Sequence, residues 1–273
     1  YLLVAHTGSR TMDVYNLDTG ALIKQILVGQ AHGVAIDVKD RKYFVSTVAG
    51  IVAVVDRDNL VLSDNKVTTP GPGDAIAFDP KTDTVYVDED NGTRVFTVNG
   101  KTNKPGSVIN IPLQPEYIDY DPVTGKLYQN IVSTNSVVVI DPTTNAVSAT
   151  WSTLPATEPH GQAIDSATGR VFVVGTNGAL VSMDIKTGAV IAQAPVAPRV
   201  DQIVFDPGTM RIYCASGTGV VSVVQETATG LAALPDVVVP EHAHTITVDP
   251  KTHNVWISYG GVHDDFIMEL TPP

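Results

Sequence analysis

The 273-residue chain has a single cysteine, Cys214. That excludes an intrachain disulfide framework and any zinc site built from thiolates. Basic residues are also scarce: 17 Lys and Arg stand against 29 Asp and Glu, for a net charge of −12. No nucleic-acid partner is expected, because phosphate binding needs clustered Lys and Arg. Cations and cationic or polar small molecules are favoured instead. No apolar run approaches the roughly 18 residues of a membrane span. The stretch "GPGDA" at 71–75 is not a phosphate loop, since no helix follows it and no Lys-Ser/Thr ends it. No Gly-x-Ser-x-Gly elbow occurs. No signal peptide is visible, but Tyr1 is not a natural start, which fits the removal of a leader or a longer segment.

What the chain does have is turns and repetition. Glycine (22) and proline (18) are spread along it, and 43% of its residues are apolar, ample for a large core. One unit recurs: "AHGVAIDVKDRKYFVS", "GDAIAFDPKTDTVYVD", "PEYIDYDPVTGKLYQN", "PHGQAIDSATGRVFVV", "VDQIVFDPGTMRIYCA" and "AHTITVDPKTHNVWIS". Its shared aspartate falls at Asp37, Asp79, Asp121, Asp165, Asp206 and Asp249, at intervals of 42, 42, 44, 41 and 43 residues. A period near 42 without helical spacing predicts a β-propeller of four strands per blade. Each unit reads as a short strand a, a tight turn opened by the aspartate, an aromatic and β-branched strand b, a strand c and an outer strand d. Strands b and c occur seven times, a and d six times. The count predicts an all-β, seven-bladed propeller of four-stranded antiparallel blades, forming a single domain over residues 1–273. Blade 1 then lacks its inner strand and blade 7 its outer one, the two that would precede Tyr1. Six blades are the alternative, at the expense of two unused strands between Tyr1 and Asn16.

Together, "YLLVAHTGSRTMDVYNLDTGALIKQI", "AHGVAIDVKDRKYFVS", "GDAIAFDPKTDTVYV" and "VIDPTTNAV" resemble the YVTN-type, YncE-like family of seven-bladed propellers along essentially the whole chain. The resemblance implies a periplasmic or secreted protein of bacterial or archaeal type. It does not imply an activity, because propellers host many. A monomer is expected.

The residue five before each turn aspartate is His32, Asp74, Glu116, His160, Asp201 or His244, and all six are ionisable. In a propeller this position lies at one mouth of the central channel, where ligands usually meet the fold. His242, Glu158 and Glu241 precede this ring, His6 closes strand b of blade 1, and His263 lies in the b–c loop of blade 7. Only His253, in an a–b turn, maps to the opposite end. Neutral imidazole and carboxylate are the usual ligands of zinc, copper, iron or manganese. The expected metal ligands are therefore His32, His160, His244, His242, His6 and Glu116. Asp74, Glu116, Tyr117, Asp201, Glu241 and His263 are expected to face a small polar molecule. The leading expectation is a binding protein for a metal ion or small polar ligand. Whether it is also an enzyme is open. Glu158-Pro-His160 is similar to the Glu-x-His of streptogramin-lyase-like and lactonase-like propellers, which would make His160 or His244 a general base beside Glu158. The preceding-blade position that is His in the lyase pattern is Glu116 here. A third possibility is a protein-interaction scaffold.

Overall fold

The computed structural model describes residues 1–260 and 265–271. The chain is an all-β, seven-bladed propeller with antiparallel blades. Blade 1 holds β1 (Leu2–His6), β2 (Thr11–Tyr15) and β3 (Leu22–Leu27). Blade 2 holds β4 (Ala31–Asp37), β5 (Lys42–Thr47), β6 (Ile51–Asp56) and an outer strand in two pieces, β7 (Val61–Leu62) and β8 (Val67–Thr68). Blade 3 comprises β9 (Gly73–Asp79), β10 (Thr84–Glu89), β11 (Arg94–Asn99) and β12 (Lys104–Asn110). Blade 4 comprises β13 (Pro115–Asp121), β14 (Lys126–Ile131), β15 (Ser136–Asp141) and β16 (Ala146–Ser152). Blade 5 comprises β17 (Pro159–Asp165), β18 (Arg170–Gly175), β19 (Ala179–Asp184) and β20 (Val190–Pro195). Blade 6 has β21 (Val200–Asp206), β22 (Arg211–Ser216), β23 (Val220–Thr227) and again a divided outer strand, β24 (Gly230–Ala233) and β25 (Val237–Val238). Blade 7 has β26 (Ala243–Val248), β27 (Val255–Gly260) and β28 (Asp265–Leu270). The first and last sheets are three-stranded, and the predicted strand inventory is met. Among the described residues the one helical turn is a 3₁₀ segment, Val132–Thr134, and no helix is long and apolar enough to cross a membrane.

Strand periodicity explains the packing. Successive side chains of a strand point to opposite faces, so each blade presents one apolar set to each neighbour. The chain divides into two compact units, residues 1–129 with 138–149, and residues 130–137 with 150–273. In the first unit, Met12, Val14 and Ile26 of blade 1 pack on Tyr43, Val45, Ala53 and Val55 of blade 2. The alternate residues, Phe44, Val52 and Val54, turn the other way, onto Val85, Val87 and Val98 of blade 3. Phe44 also stacks on Phe78 at 6.3 Å. In the second unit, Phe172, Val174 and Leu180 of blade 5 meet Ile203, Phe205 and Ile212 of blade 6. Tyr213, Val221 and Val223 then meet Ile246, Val255 and Ile257 of blade 7.

The repeat aspartates close the turns between the first two strands. Asp37 Oδ1 accepts from the amides of Lys39 and Asp40, both at 3.0 Å. Asp79 binds the Lys81 amide at 2.8 Å, Asp206 that of Gly208 at 3.0 Å and Asp249 that of Lys251 at 3.0 Å. This is the side-chain-to-backbone bond for which Asp is selected in turns. Four residues later the chain is left-handed: Gly125 and Gly169 take φ of 65° and 71°, and Arg41, Asp83, Met210 and His253 take 55°, 52°, 56° and 63°. His253 also places Nδ1 3.0 Å from Asp206 Oδ2, which ties the turn of blade 7 to that of blade 6.

Candidate functional site

The six-residue ring position has a local cause that the sequence does not announce. In blades 2, 3, 5, 6 and 7 the first strand carries a β-bulge there. His32 and Gly33 together face Ser46, and Asp74 and Ala75 face Asp88. His160 and Gly161 face Val174, and His244 and Thr245 face Ser258. Asp201 is the extra residue between Val200 and Gln202. A bulge breaks the in–out alternation and re-aims a side chain away from the packed face. The glycine that follows each of two histidines lets adjacent blades close up. A Cβ on Gly161 would lie 2.8 Å from the Ile203 nitrogen and 3.0 Å from the Asp201 carbonyl oxygen, and one on Gly33 would lie 3.2 Å from the Asp74 carbonyl oxygen.

In the first unit, His32 Nδ1 lies 2.7 Å from Asp74 Oδ1, and both side chains are half-buried. The hydrogen bond to Asp74 raises the His32 pKa against the desolvation that lowers it, and the charges of Asp74, Asp90 and Glu116 add to the rise. Glu116 and Tyr117 follow Pro115 on β13 and are partly exposed. The Tyr117 carbonyl accepts from Gln129 Nε2 at 3.0 Å, and burial pushes its phenol upward. His6 engages its own blade: Nε2 is 3.5 Å from Asp13 Oδ2, which also accepts from Gln25 Nε2 at 2.9 Å.

In the second unit, Asp201 stands between two imidazoles. His244 Nδ1 is 3.2 Å from Asp201 Oδ2. His160 and Asp201 have ligand atoms within 4.8 Å of each other. His160 Nδ1 also meets the Glu158 carbonyl oxygen at 3.0 Å, and its own carbonyl accepts from Asn130 Nδ2 at 2.6 Å. Glu158 is left-handed at φ 50°, and its carboxylate accepts from Thr176 Oγ1 at 2.7 Å. The Glu-x-His spacing therefore brings a carbonyl, not a carboxylate, to the His160 ring. His242 is left-handed at φ 66° and exposed; its amide donates to Gly217 and its carbonyl accepts from Gly260. Glu241 is exposed beside it. His263 lies outside the described residues.

Three of these histidines share a feature that matters chemically. His32, His160 and His244 each have Nδ1 against an acceptor: Asp74, the Glu158 carbonyl and Asp201. A neutral imidazole whose Nδ1–H is so bound carries its lone pair on Nε2, the arrangement by which an outer partner orients a metal-ligating histidine.

Sequence reasoning passed over Asp88 and Asp119. Asp88 sits in a strand otherwise read as apolar, yet it is fully buried. Asp119 occupies the column that is Ala35, Ala77 and Ala163 in blades 2, 3 and 5. Burial, with Asp121 nearby, pushes its carboxyl up to about 6. In both cases the signal was a carboxylate where sister repeats place a small or uncharged residue.

Among curated proteins, none matches the chain. Solved structures do. A functionally unknown protein from Desulfotomaculum acetoxidans DSM 771 is 13% identical, with 97% of this chain and 90% of that chain covered at a TM-score of 0.83. Hydrazine synthase of Kuenenia stuttgartiensis is 18% identical over 87% of this chain and 76% of that one, at 0.74. A chain of the mitotic checkpoint complex is 12% identical over 95% and 81%, at 0.81. At such identities the likeness establishes the fold alone. Residues 55–203, more than half of the chain, match the family described as Repeat of unknown function (DUF6923), and the chain belongs to that family.

Proposed function

We propose that this protein is a YncE-like binding propeller that holds a divalent transition metal, zinc, copper, iron or manganese, at His160 and Asp201, with His244 orienting the Asp201 carboxylate. The observation that carries the reading is the Asp201 carboxylate flanked by both imidazoles, with His244 Nδ1 at 3.2 Å and His160 within 4.8 Å. Imidazole and carboxylate are donors that suit these ions. The bulges at His160, Asp201 and His244 support it, because they take all three side chains out of the packing alternation. An acidic chain of net charge −12 favours a cation over an anion. The resemblance of the repeats to exported propellers makes a periplasmic or secreted setting part of the proposal. A lyase-like or lactonase-like activity gains no support from Glu158, whose carboxylate is bonded to Thr176.

The test is metal content after purification, followed by zinc titration calorimetry. Wild type should take up one equivalent of zinc, and Asp201→Ala and His160→Ala should each lower the affinity at least tenfold. His253→Ala, in the turn bonded to Asp206, should bind as wild type does. Equal zinc binding in Asp201→Ala and wild type rejects the proposal.

A further inference from the structure

The connection into blade 5 departs from the pattern of the two blades that follow it. In blades 6 and 7 the residue just before the first strand is left-handed, Arg199 at φ 59° and His242 at φ 66°. Its amide donates to the main chain of the preceding blade, Arg199 to the Thr176 carbonyl at 2.9 Å and His242 to the Gly217 carbonyl at 3.1 Å. Its own carbonyl accepts from the amide that follows the second strand, that of Gly217 at 3.0 Å and that of Gly260 at 3.2 Å. Glu158 is the equivalent residue of blade 5 and is left-handed too, at φ 50°.

Both of its main-chain bonds are diverted. The Glu158 amide donates to a side chain, Asn135 Oδ1, at 2.7 Å. The carbonyl it would meet by repeat equivalence, that of Val132, accepts instead from the Asn135 amide and closes the 3₁₀ turn. The Thr176 amide bonds the Thr157 carbonyl at 3.0 Å and reaches the Glu158 carbonyl only at 3.4 Å. The Glu158 carbonyl therefore takes its shorter bond from His160 Nδ1, at 3.0 Å. The Glu158 carboxylate is tied to Thr176 Oγ1 at 2.7 Å. Side chains from two neighbouring segments thus hold one carbonyl against an imidazole. A residue before proline is normally extended, yet Glu158 precedes Pro159 and stays left-handed. Backbone of this kind persists where surrounding bonds over-determine it, and it clusters at functional sites.

A carbonyl only accepts, so this bond places the proton of a neutral imidazole on Nδ1 and the lone pair on Nε2. Unlike the carboxylates that face His32 and His244, it orients the ring without adding a charge. We propose that Glu158 is a positioning residue that acts through its main chain. Held by Asn135 and Thr176, its carbonyl fixes the His160 tautomer and makes Nε2 the ligand atom. The inference rests on the reading of His160 and Asp201 as a metal site. The Glu-x-His spacing then has a use that does not involve the glutamate's acid group.

The experiment reads the ring itself. The full chain, chelator-treated and isotope-labelled at histidine, is studied by long-range nitrogen–proton NMR correlation at a pH above the histidine titration range. Wild type should show His160 with its proton on Nδ1. The double variant Asn135→Gly with Thr176→Val removes both side-chain ties, and glycine suits the left-handed backbone at Asn135. It should show mixed tautomers at His160, an unchanged His244, and a zinc affinity lowered about tenfold. Thr176→Ser, which keeps the hydroxyl, should retain the wild-type tautomer. Thr176→Val alone supplies the comparison if the double variant fails to fold. A wild-type His160 protonated on Nε2, a variant tautomer identical to wild type, or full zinc affinity in a variant whose tautomer has changed overturns the proposal. A wild type that takes up no zinc overturns the metal reading instead, and the tautomer still decides whether Glu158 sets the ring.

Discussion

His32 and Asp74 are 42 residues apart in the sequence, one repeat, and meet with Nδ1 2.7 Å from Oδ1. The bond joins equivalent positions of neighbouring blades, so blade stacking holds it as much as the side chains do. A double-mutant cycle on His32→Ala and Asp74→Ala should give a coupling of about 0.5–1.5 kcal/mol in urea unfolding, the usual range for a half-buried hydrogen bond. Additivity within about 0.3 kcal/mol would show that the pair does not couple the blades.

At Gly161 the backbone of blade 5 runs close against that of blade 6. A methyl group there meets the Gln202 Cα at 2.9 Å and two further backbone atoms of blade 6, none of which can rotate away. Gly161→Ala should destabilise the chain by about 1–3 kcal/mol, as overpacking does. Gly8, with nothing within 4 Å of its Cβ position, should tolerate alanine with no measurable loss. Thermal unfolding of the two variants side by side decides the matter, and an undisturbed Gly161→Ala protein contradicts the packing.

Asp141 gives a pH dependence with a definite sign. Lys126 Nζ stands 2.5 Å from its Oδ2, and Thr143 donates to Oδ1 from both amide and hydroxyl. Chiefly through Lys126, these lower its pKa from 3.8 to about 2. A depressed carboxyl stabilises the fold above its unfolded pKa and ceases to do so as the pH falls through the folded one. The pair lies near solvent, so screening limits the effect to about 1 kcal/mol or less. Asp141→Asn should be less stable than wild type at pH 7, and the difference should shrink between about pH 4 and pH 2. A gap that is unchanged across that window would point to packing instead.

Cys214 lies at the middle of the blade 5–6 core beside Phe205 and Ile212, with no exposure, and burial raises its thiol pKa. The folded protein should therefore resist a thiol reagent at neutral pH and react stoichiometrically on denaturation. Rapid labelling of the native state would mean that the core opens there.

The fold was legible because its determinants are local and repeated. One aspartate per turn bonds the amides that follow it, as Asp37 does with Lys39 and Asp40, and strands such as Lys42–Thr47 alternate between two apolar neighbours. The ring of ionisable residues was legible for the same reason: alignment on the aspartate finds it. What alignment does not carry is direction. Glu158 looked like the partner of His160, yet its left-handed backbone turns the carboxylate to Thr176. His6 looked like part of the ring, but its ring nitrogen faces Asp13 on its own sheet. Asp88 escaped notice because a strand pattern marks a charged residue as outward-facing, and the bulge opposite it inverts that rule.

The bulges also separate chemistry from architecture. A side chain at such a position leaves the interlocked faces between blades, so exchanging imidazole for carboxylate there alters no buried apolar contact. Substitutions there change polar bonds between adjacent repeats, such as His32 with Asp74, and leave the repeated apolar strands in place, so a propeller of this kind can be retuned toward a new ligand while its scaffold persists.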